Sequence, residues 1–131
     1  MANKSYLHIR CQDFAFLLAT NSIIEIIKLG QHNHGSTILW RDNFISCHNL
    51  SEILLPNQNH IINNNALIIK NKFDEYIGIA VESVASIESI EEQLFRNIPS
   101  LHFQLKQYFD KVYIHPLHQQ CIYRLKTDNF D

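Results

Sequence analysis

The chain has 131 residues, of which 46% are hydrophobic and 18% are charged, and this is enough apolar material for one globular domain or for two small subdomains that share a core. Its formal net charge of -2 and its isoelectric point near 6.4 argue against binding to nucleic acid or to an anionic membrane surface, because both require a concentrated basic patch. The chain begins without the pattern of a secretory signal, and no apolar run approaches the roughly 18 residues of a membrane span, so we expect a cytoplasmic protein without membrane insertion.

The first half of the chain carries the signals of short strands. In residues 6–11, apolar and polar side chains alternate with the period of a half-buried strand. Residues 13–19 continue as a second strand, and residues 20–30 predict a short turn and then a strand, because their isoleucines are stiff at χ1 and favour extended backbone. Loops are predicted at 30–36 and at 56–65, and we expect the second loop to separate two halves of the chain.

The second half opens with a predicted hairpin, made from the apolar runs 66–70 and 76–87 and a polar turn. Two further strands, at 111–115 and 121–125, close the chain. Between the hairpin and these two strands, spacings of four and three predict an amphipathic helix that bends at Pro99. It is built on Ile90, Leu94, Ile98, Leu101, Leu105 and Phe109. Many short strands with little helix favour a β-barrel or sandwich over a parallel α/β sheet.

Cys47 and His48 are adjacent and suggest a thiol nucleophile with its base. They follow strand-forming residues, so alternation along a strand sends the two side chains to opposite faces and prevents the hydrogen bond of a catalytic pair. A helix is predicted to start at Asn49, whose side chain can cap it while Glu52 reaches back. We therefore expect no catalysis at this position and no enzyme activity.

His115, His118 and Cys121 form an H-x-x-H-x-x-C stretch of three possible zinc ligands. A structural zinc site needs a fourth ligand and usually shows paired knuckles, which this chain lacks, so we interpret the stretch as a hairpin tip with solvated histidines. A metal-binding module that uses these three residues remains one alternative for the function. The chain has three cysteines that lie far apart, which suits reduced thiols better than a disulfide framework.

Two other positions have unusual surroundings. Gly78 lies inside a predicted strand, where a glycine indicates either a close approach of another group or a tolerated bulge. Arg41 follows Trp40 beside a turn at Asp42, and Glu25, which stands among four isoleucines, is the candidate for its acidic partner.

Three segments, taken in order, resemble the CheW-like domain, which is the adaptor fold of bacterial chemotaxis. The resemblance rests on matches at Ile23, Glu25, Ile26, Arg41, Leu50, Gly78, Ile79, Val81 and Val84, with Glu82 in a place where the family usually has aspartate. The chain departs from the family pattern at Asp42, which replaces a turn glycine, at Ser46, which replaces a proline, and at Asn49, which replaces an aspartate.

The resemblance implies a mainly β fold with two small five-stranded β-barrel subdomains and a few short helices, in a single domain over residues 1–131. It also implies an adaptor without cofactor that couples the cytoplasmic tip of a chemoreceptor to the regulatory domain of a CheA-type histidine kinase, in a chemotaxis or type IV pilus (twitching motility) system. Other CheW-like domains are further expected partners, and the partner-binding residues are expected at Glu25, Trp40, Arg41 and Asp42. The alternative is a CheW-like scaffold that has lost this coupling and binds another partner, since Asp42 alters the turn.

Overall fold

The computed structural model describes residues 3–11, 14–29, 37–50, 52, 63–99, 106–128 and 130. Within these residues the chain is mostly β-strand, with short 3-10 helices at Thr20–Ser22 and Glu92–Leu94. In chain order the strands are β1 (Asn3–Cys11), β2 (Phe14–Ala19), β3 (Ile23–Lys28), β4 (Thr37–Trp40), β5 (Asn43–Asn49), β6 (Asn65–Lys70), β7 (Tyr76–Val81), β8 (Ser83–Glu91), β9 (Arg96–Asn97), β10 (Phe109–Ile114) and β11 (Cys121–Leu125). The mainly β fold predicted from the sequence is confirmed. No helix in the described ranges is long and apolar enough to span a membrane.

The strands form two sheets. One has six strands in the order β8-β1-β2-β11-β10-β9, and the other has five in the order β3-β6-β7-β5-β4. Neighbouring strands are antiparallel except for the parallel pairs β2–β11 and β5–β7. The expectation of two five-stranded units therefore holds for one sheet, whereas the other gains a sixth strand because the two-residue β9 pairs with β10.

The chain passes between the two sheets twice. Strands β1 and β2 belong to the six-stranded sheet, β3 to β7 form the five-stranded sheet, and β8 to β11 return to the first. The passages lie at Thr20–Ser22 and at Glu82. The expectation that residues 56–65 separate two halves is wrong for the sheets, since the strands before and after this segment, β5 and β6, belong to one sheet. The predicted loop at 30–36 lies outside the described residues, as do residues 53–62.

In the described residues the hydrophobic core has three parts. The largest lies between the two sheets and combines Leu7, Ile9, Phe16 and Leu18 of the first with Leu67, Ile69, Ile77 and Ile79 of the second. Behind the six-stranded sheet, a second cluster contains Tyr6, Leu17, Ile90, Phe95 and Ile122. Behind the five-stranded sheet, a third contains Ile38, Trp40, Ala66 and Ile68. Both sheets are thus apolar on two faces, which explains the long apolar runs of β2, β6 and β7.

The predicted amphipathic helix at 90–109 is wrong in its described part. Residues 90 and 91 end strand β8, the 3-10 helix follows, and β9 is extended. A spacing of four residues equals two strand periods as well as about one helical turn, so the positions of the apolar residues do not distinguish the two structures. The capped helix at Asn49 is supported, because Leu50 and Glu52 are helical and the Glu52 N–H donates to Asn49 Oδ1 at 3.1 Å.

Candidate functional site

Glu25 and Arg41 form an ion pair at the surface of the five-stranded sheet. Arg41 Nη2 lies 3.2 Å from Glu25 Oε1, which confirms the predicted salt bridge. The pair does not join neighbouring strands, because Glu25 is on β3 and Arg41 follows β4, and these are the two edge strands of the sheet. The ion pair therefore connects the two edges through side chains where no backbone ladder does.

Trp40 completes this contact. Its indole Nε1–H donates to the same Glu25 Oε1 at 3.3 Å, and the Arg41 guanidinium carbon lies 4.3 Å from the centre of its ring. The Trp40 side chain is buried in the cluster behind the sheet and contacts the ring of Tyr76 at 5.0 Å between centroids. One carboxylate oxygen thus accepts from two donors on consecutive residues, which fixes the direction in which the arginine leaves the strand.

The turn between β4 and β5 has an unusual backbone. Trp40 and Asn43 are cross-strand partners, so Arg41 and Asp42 form a two-residue hairpin turn, and both have positive φ, at 49° and 66°. This is the geometry of a type I′ turn, which favours glycine at its second position. The Asn43 amide donates to the Arg41 carbonyl at 3.2 Å and supports the turn. Asp42 is exposed and occupies a left-handed conformation that costs a non-glycine residue on the order of 1 kcal/mol.

The ion pair orients the turn more than it stabilises the fold. The Arg41 and Glu25 side chains are 63% and 43% exposed, and pairs of this kind contribute about 0.2 to 1 kcal/mol because water screens them. Beside the turn, Leu39 and Phe44 face each other across the hairpin and are exposed. The hairpin therefore buries Ile38 and Trp40 on one face and presents an apolar pair to solvent on the other.

Gly78 lies directly beneath this hairpin. A Cβ atom there would lie 2.9 Å from Ile38 Cδ1 and 3.5 Å from Cys47 Sγ. The ladder between β6 and β7 is regular through Gly78, so the residue is not at a bulge. Of the two alternatives, the structure supports the close approach, because the absence of a side chain at position 78 leaves room for the Ile38 side chain of β4 to pack over β7.

The remaining residues that match the family pattern have mainly structural positions. Five of them belong to or pack against the core between the sheets, namely Leu50, Ile79, Val81, Ile23 and Val84. Ile26 is exposed on β3. Glu82 lies in the connection between β7 and β8, where its backbone carbonyl accepts from the Asn64 amide at 3.2 Å.

Cys47 and His48 point to opposite faces of β5, as predicted. Cys47 packs against the cluster behind the five-stranded sheet, and burial raises the pKa of its thiol, so the thiol stays protonated at neutral pH. The His48 ring lies edge-on to Phe130, a residue of the core between the sheets, with 5.3 Å between the ring centres. The two side chains do not form a catalytic dyad.

The H-x-x-H-x-x-C stretch forms the tip of the β10–β11 hairpin. The rings of His115 and His118 stack with 4.9 Å between their centres, and Cys121 is exposed at the start of β11. Among the residues that the structure describes, no three His, Cys, Asp or Glu side chains lie close enough together to hold a metal ion.

Sequence reasoning missed Arg124, which joins the parts of the six-stranded sheet. Its guanidinium makes two hydrogen bonds to Asp110, at 2.9 and 3.0 Å, two to Glu92, at 3.0 and 2.9 Å, and one to the Tyr6 hydroxyl at 3.3 Å. The guanidinium carbon also lies 4.5 Å from the centre of the Phe95 ring. Alternation along β11 puts Arg124 on the same face as Ile122, and this inward position is the one signal that the sequence contains.

Comparison with known proteins gives one family and one fold. The family model of the CheW-like domain matches residues 5–119. The crystal structure of the scaffolding protein TtCheW from Thermoanaerobacter tengcongensis is similar, with a TM-score of 0.78 and 13% sequence identity over 98% of this chain and 91% of that chain. No curated protein sequence matches the chain at a significant level. At this identity, the structural likeness concerns the fold alone.

Proposed function

Since the chain belongs to the CheW-like domain family, we propose that it is a non-catalytic adaptor that couples the cytoplasmic tip of a chemoreceptor to the regulatory domain of a CheA-type histidine kinase. The system is a chemotaxis or a type IV pilus chemosensory system, and the adaptor works in the cytoplasm, recruited to receptor arrays at the membrane. The fold supports this proposal because one similar solved structure is that of a scaffolding protein.

The observation that carries the proposal is the contact of Glu25 with both Trp40 and Arg41. It holds a strained turn in one orientation at the surface, although the ion pair contributes little to stability. Arginine is also one of the residues that most often dominate binding energy at protein interfaces, and Arg41 is exposed while the buried Trp40 supports it from below. We infer that Glu25, Trp40, Arg41 and Asp42 form the part of the adaptor that its partners recognise.

The exposed pair Leu39 and Phe44 extends this surface. Their side chains are 58% and 76% exposed and lie on the outer face of the same hairpin. An apolar centre beside oriented polar groups is the usual composition of a protein interface. A strand edge with such side chains suits another β-rich surface, so other CheW-like domains are included among the proposed partners.

The test is a binding measurement with purified components. The chain is titrated by calorimetry with the regulatory domain of a CheA-type kinase and with a receptor cytoplasmic fragment from the same organism. We compare the wild type with Glu25→Ala, Arg41→Ala and the double variant, and use Arg96→Ala, an exposed arginine on the other sheet, as the matched control. Each single change in the pair should weaken binding about 10-fold, which is roughly 1.4 kcal/mol, whereas the control should not.

The double variant decides whether the pair acts as a unit. If Glu25 and Arg41 orient the turn together, the double variant should bind no more weakly than Arg41→Ala alone. Full additivity, or unchanged binding in folded variants, would make the pair ordinary solvated surface. If the folded wild type binds neither kinase nor receptor, the alternative of a scaffold for a different partner is favoured, and Asp42 in place of the turn glycine is the observation that supports it.

A further inference from the structure

The tip of the β10–β11 hairpin contacts the far edge of its own sheet. His115, just after β10, places Nε2 3.5 Å from Oε1 of Glu88 on β8. Strands β8 and β10 are separated in the sheet by β1, β2 and β11. The contact therefore crosses the face of the sheet and connects an edge strand to a hairpin tip.

This contact is less exposed than Lys70–Asp74, the other ion pair of a histidine or lysine in the described part of the chain. The His115 and Glu88 side chains are 17% and 29% exposed. The second carboxylate oxygen, Glu88 Oε2, is buried and has no hydrogen-bond partner among the described residues, and the same holds for His8 Nε2 on the adjacent strand β1. A partly buried carboxylate without a full set of donors is sensitive to the charge of the imidazole beside it.

The charged and titratable groups around the contact come from four places: Glu88 on β8, His8 and Arg10 on β1, Tyr113 on β10 and His118 in the turn. The same face of β2 and β11 carries the apolar Leu17 and Ile122. It also carries Arg124, whose charge is paired with Asp110 and Glu92. Burial lowers the pKa of His8, and burial together with the nearby Glu88 raises the pKa of Tyr113, so both are neutral at pH 7.

The two protonation states of His115 favour different contacts. The neutral ring accepts the backbone N–H of Leu117 at Nδ1, at 3.2 Å. A protonated ring carries hydrogen on both nitrogens, so it loses this bond within the turn and gains a charge opposite Glu88. When His115 takes up a proton, the hydrogen bond between Leu117 and His115 inside the tip is lost, and the contact between His115 and Glu88 of β8 becomes stronger.

We propose that Glu88 and His115 form a pH-sensitive clamp that holds the β10–β11 tip against β8 when His115 is protonated and loosens when it is neutral. Histidine suits such a clamp because it is the side chain whose charge most readily changes near neutral pH in proteins. The tip carries Leu117, which is 81% exposed. The clamp therefore controls how firmly an exposed apolar side chain is held.

Amide hydrogen exchange of the full-length chain, followed by NMR, tests the clamp. Protection is measured for the tip amides of His115 and Gln119, which donate to the carbonyls of Gln120 and His115 at 2.9 Å. It is compared at pH 5.5 and pH 8.0 and corrected for intrinsic exchange. The Leu117 amide is left out, because its own acceptor, His115 Nδ1, is lost on protonation. The wild type should be about two- to five-fold more protected at the lower pH, the range that a partly exposed ion pair produces. Glu88→Gln should remove this difference, and Glu91→Gln, the same change on the same strand, should keep it.

His115→Asn provides a second route to the same answer, since asparagine fills similar space but does not titrate. It should also lose the pH difference, and it serves if Glu88→Gln fails to fold. Equal protection of the wild-type tip at both pH values would overturn the proposal. So would a pH difference that persists in folded Glu88→Gln or His115→Asn, because another group would then control the tip.

Discussion

Substitutions at position 78 test whether this position requires a glycine for steric reasons or merely tolerates one. In Gly78→Ala the new methyl group meets only one close atom, Ile38 Cδ1 at 2.9 Å, which is the end of a flexible side chain and can move. The alanine also restricts the unfolded chain, which contributes about 0.4 to 1 kcal/mol to stability. We therefore expect the free energy of unfolding of Gly78→Ala to stay within about 1 kcal/mol of the wild type.

Gly78→Val is expected to be different. Its two additional methyl groups reach toward both Ile38 and Cys47, whose Sγ and Cβ atoms already lie 3.5 and 3.7 Å from the position of the Cβ. Overpacking of this kind costs about 1 to 3 kcal/mol. For a chain of this length, 1 kcal/mol shifts the thermal midpoint by about 4 °C, so the midpoint of Gly78→Val should fall by roughly 4 to 12 °C.

Calorimetry of a double-mutant cycle at positions 78 and 38 tests whether the new side chain at position 78 collides with Ile38. Ile38→Val removes the Cδ1 atom that the new methyl group meets, and by itself should cost about 0.5 to 1.5 kcal/mol. In the Gly78→Ala background the cost should be smaller by at least about 0.5 kcal/mol, because the alanine fills the space. Ile69→Val, on the opposite face of the same sheet, is the control and should be additive. A thermal midpoint of Gly78→Val within about one degree of the wild type would refute the reasoning.

Four other substitutions test the remaining contacts. Asp42→Gly relieves the positive φ of the turn and should raise the thermal midpoint by up to about 4 °C in calorimetry; a lower midpoint would show that the aspartate stabilises the turn. Cys47→Asp should unfold the chain, because it buries an unpaired charge, and circular dichroism would show the loss of structure. A well-folded Cys47→Asp protein would contradict this expectation. His48→Ala, in contrast, should leave partner binding almost unchanged. Arg124→Ala should cost about 1 to 2 kcal/mol in denaturant unfolding, less than a fully buried ion pair because its partners are half exposed. Hydrogen bonds from Arg124 lower the pKa of Glu92 in the folded protein below the ordinary value near 4.5. The stabilisation from this pair is therefore fully present above pH 4.5 and is lost as the pH falls through the pKa of Glu92 in the folded protein. Arg124→Ala should lack this loss of stability in acid.

Local patterns predicted most of the strands. Alternation and β-branched residues identified β1, β2, β3, β6, β7 and β11, because side-chain direction and χ1 preference are properties of a short segment. The same patterns failed after Ile90, where apolar residues four apart fit a strand and a crossover as well as a helix. The residues that fill the core between the sheets lie in the apolar runs of the sequence, as expected. Periodicity did not show, however, that both faces of each sheet are covered.

The candidate site was predicted through family resemblance, with help from residue chemistry. Glu25 among isoleucines and Arg41 after a tryptophan suggested an ion pair, and the structure contains it. The sequence did not show that the pair spans the two edges of a sheet, or that Trp40 shares the same carboxylate oxygen. The role of these residues in partner binding stays a prediction.

The sequence by itself determined most of the strands and the apolar runs that fill the core, since these depend on the size and alternation of neighbouring residues. Only the tertiary structure decided which edges meet. Arg124 donates to the Tyr6 hydroxyl from 118 positions away, and Glu25 meets Arg41 because the five-stranded sheet curls until its first and last strands approach. Such contacts depend on the strand order and curvature of a whole sheet, which arise from many non-local pairings together and leave no periodic signal in any one segment.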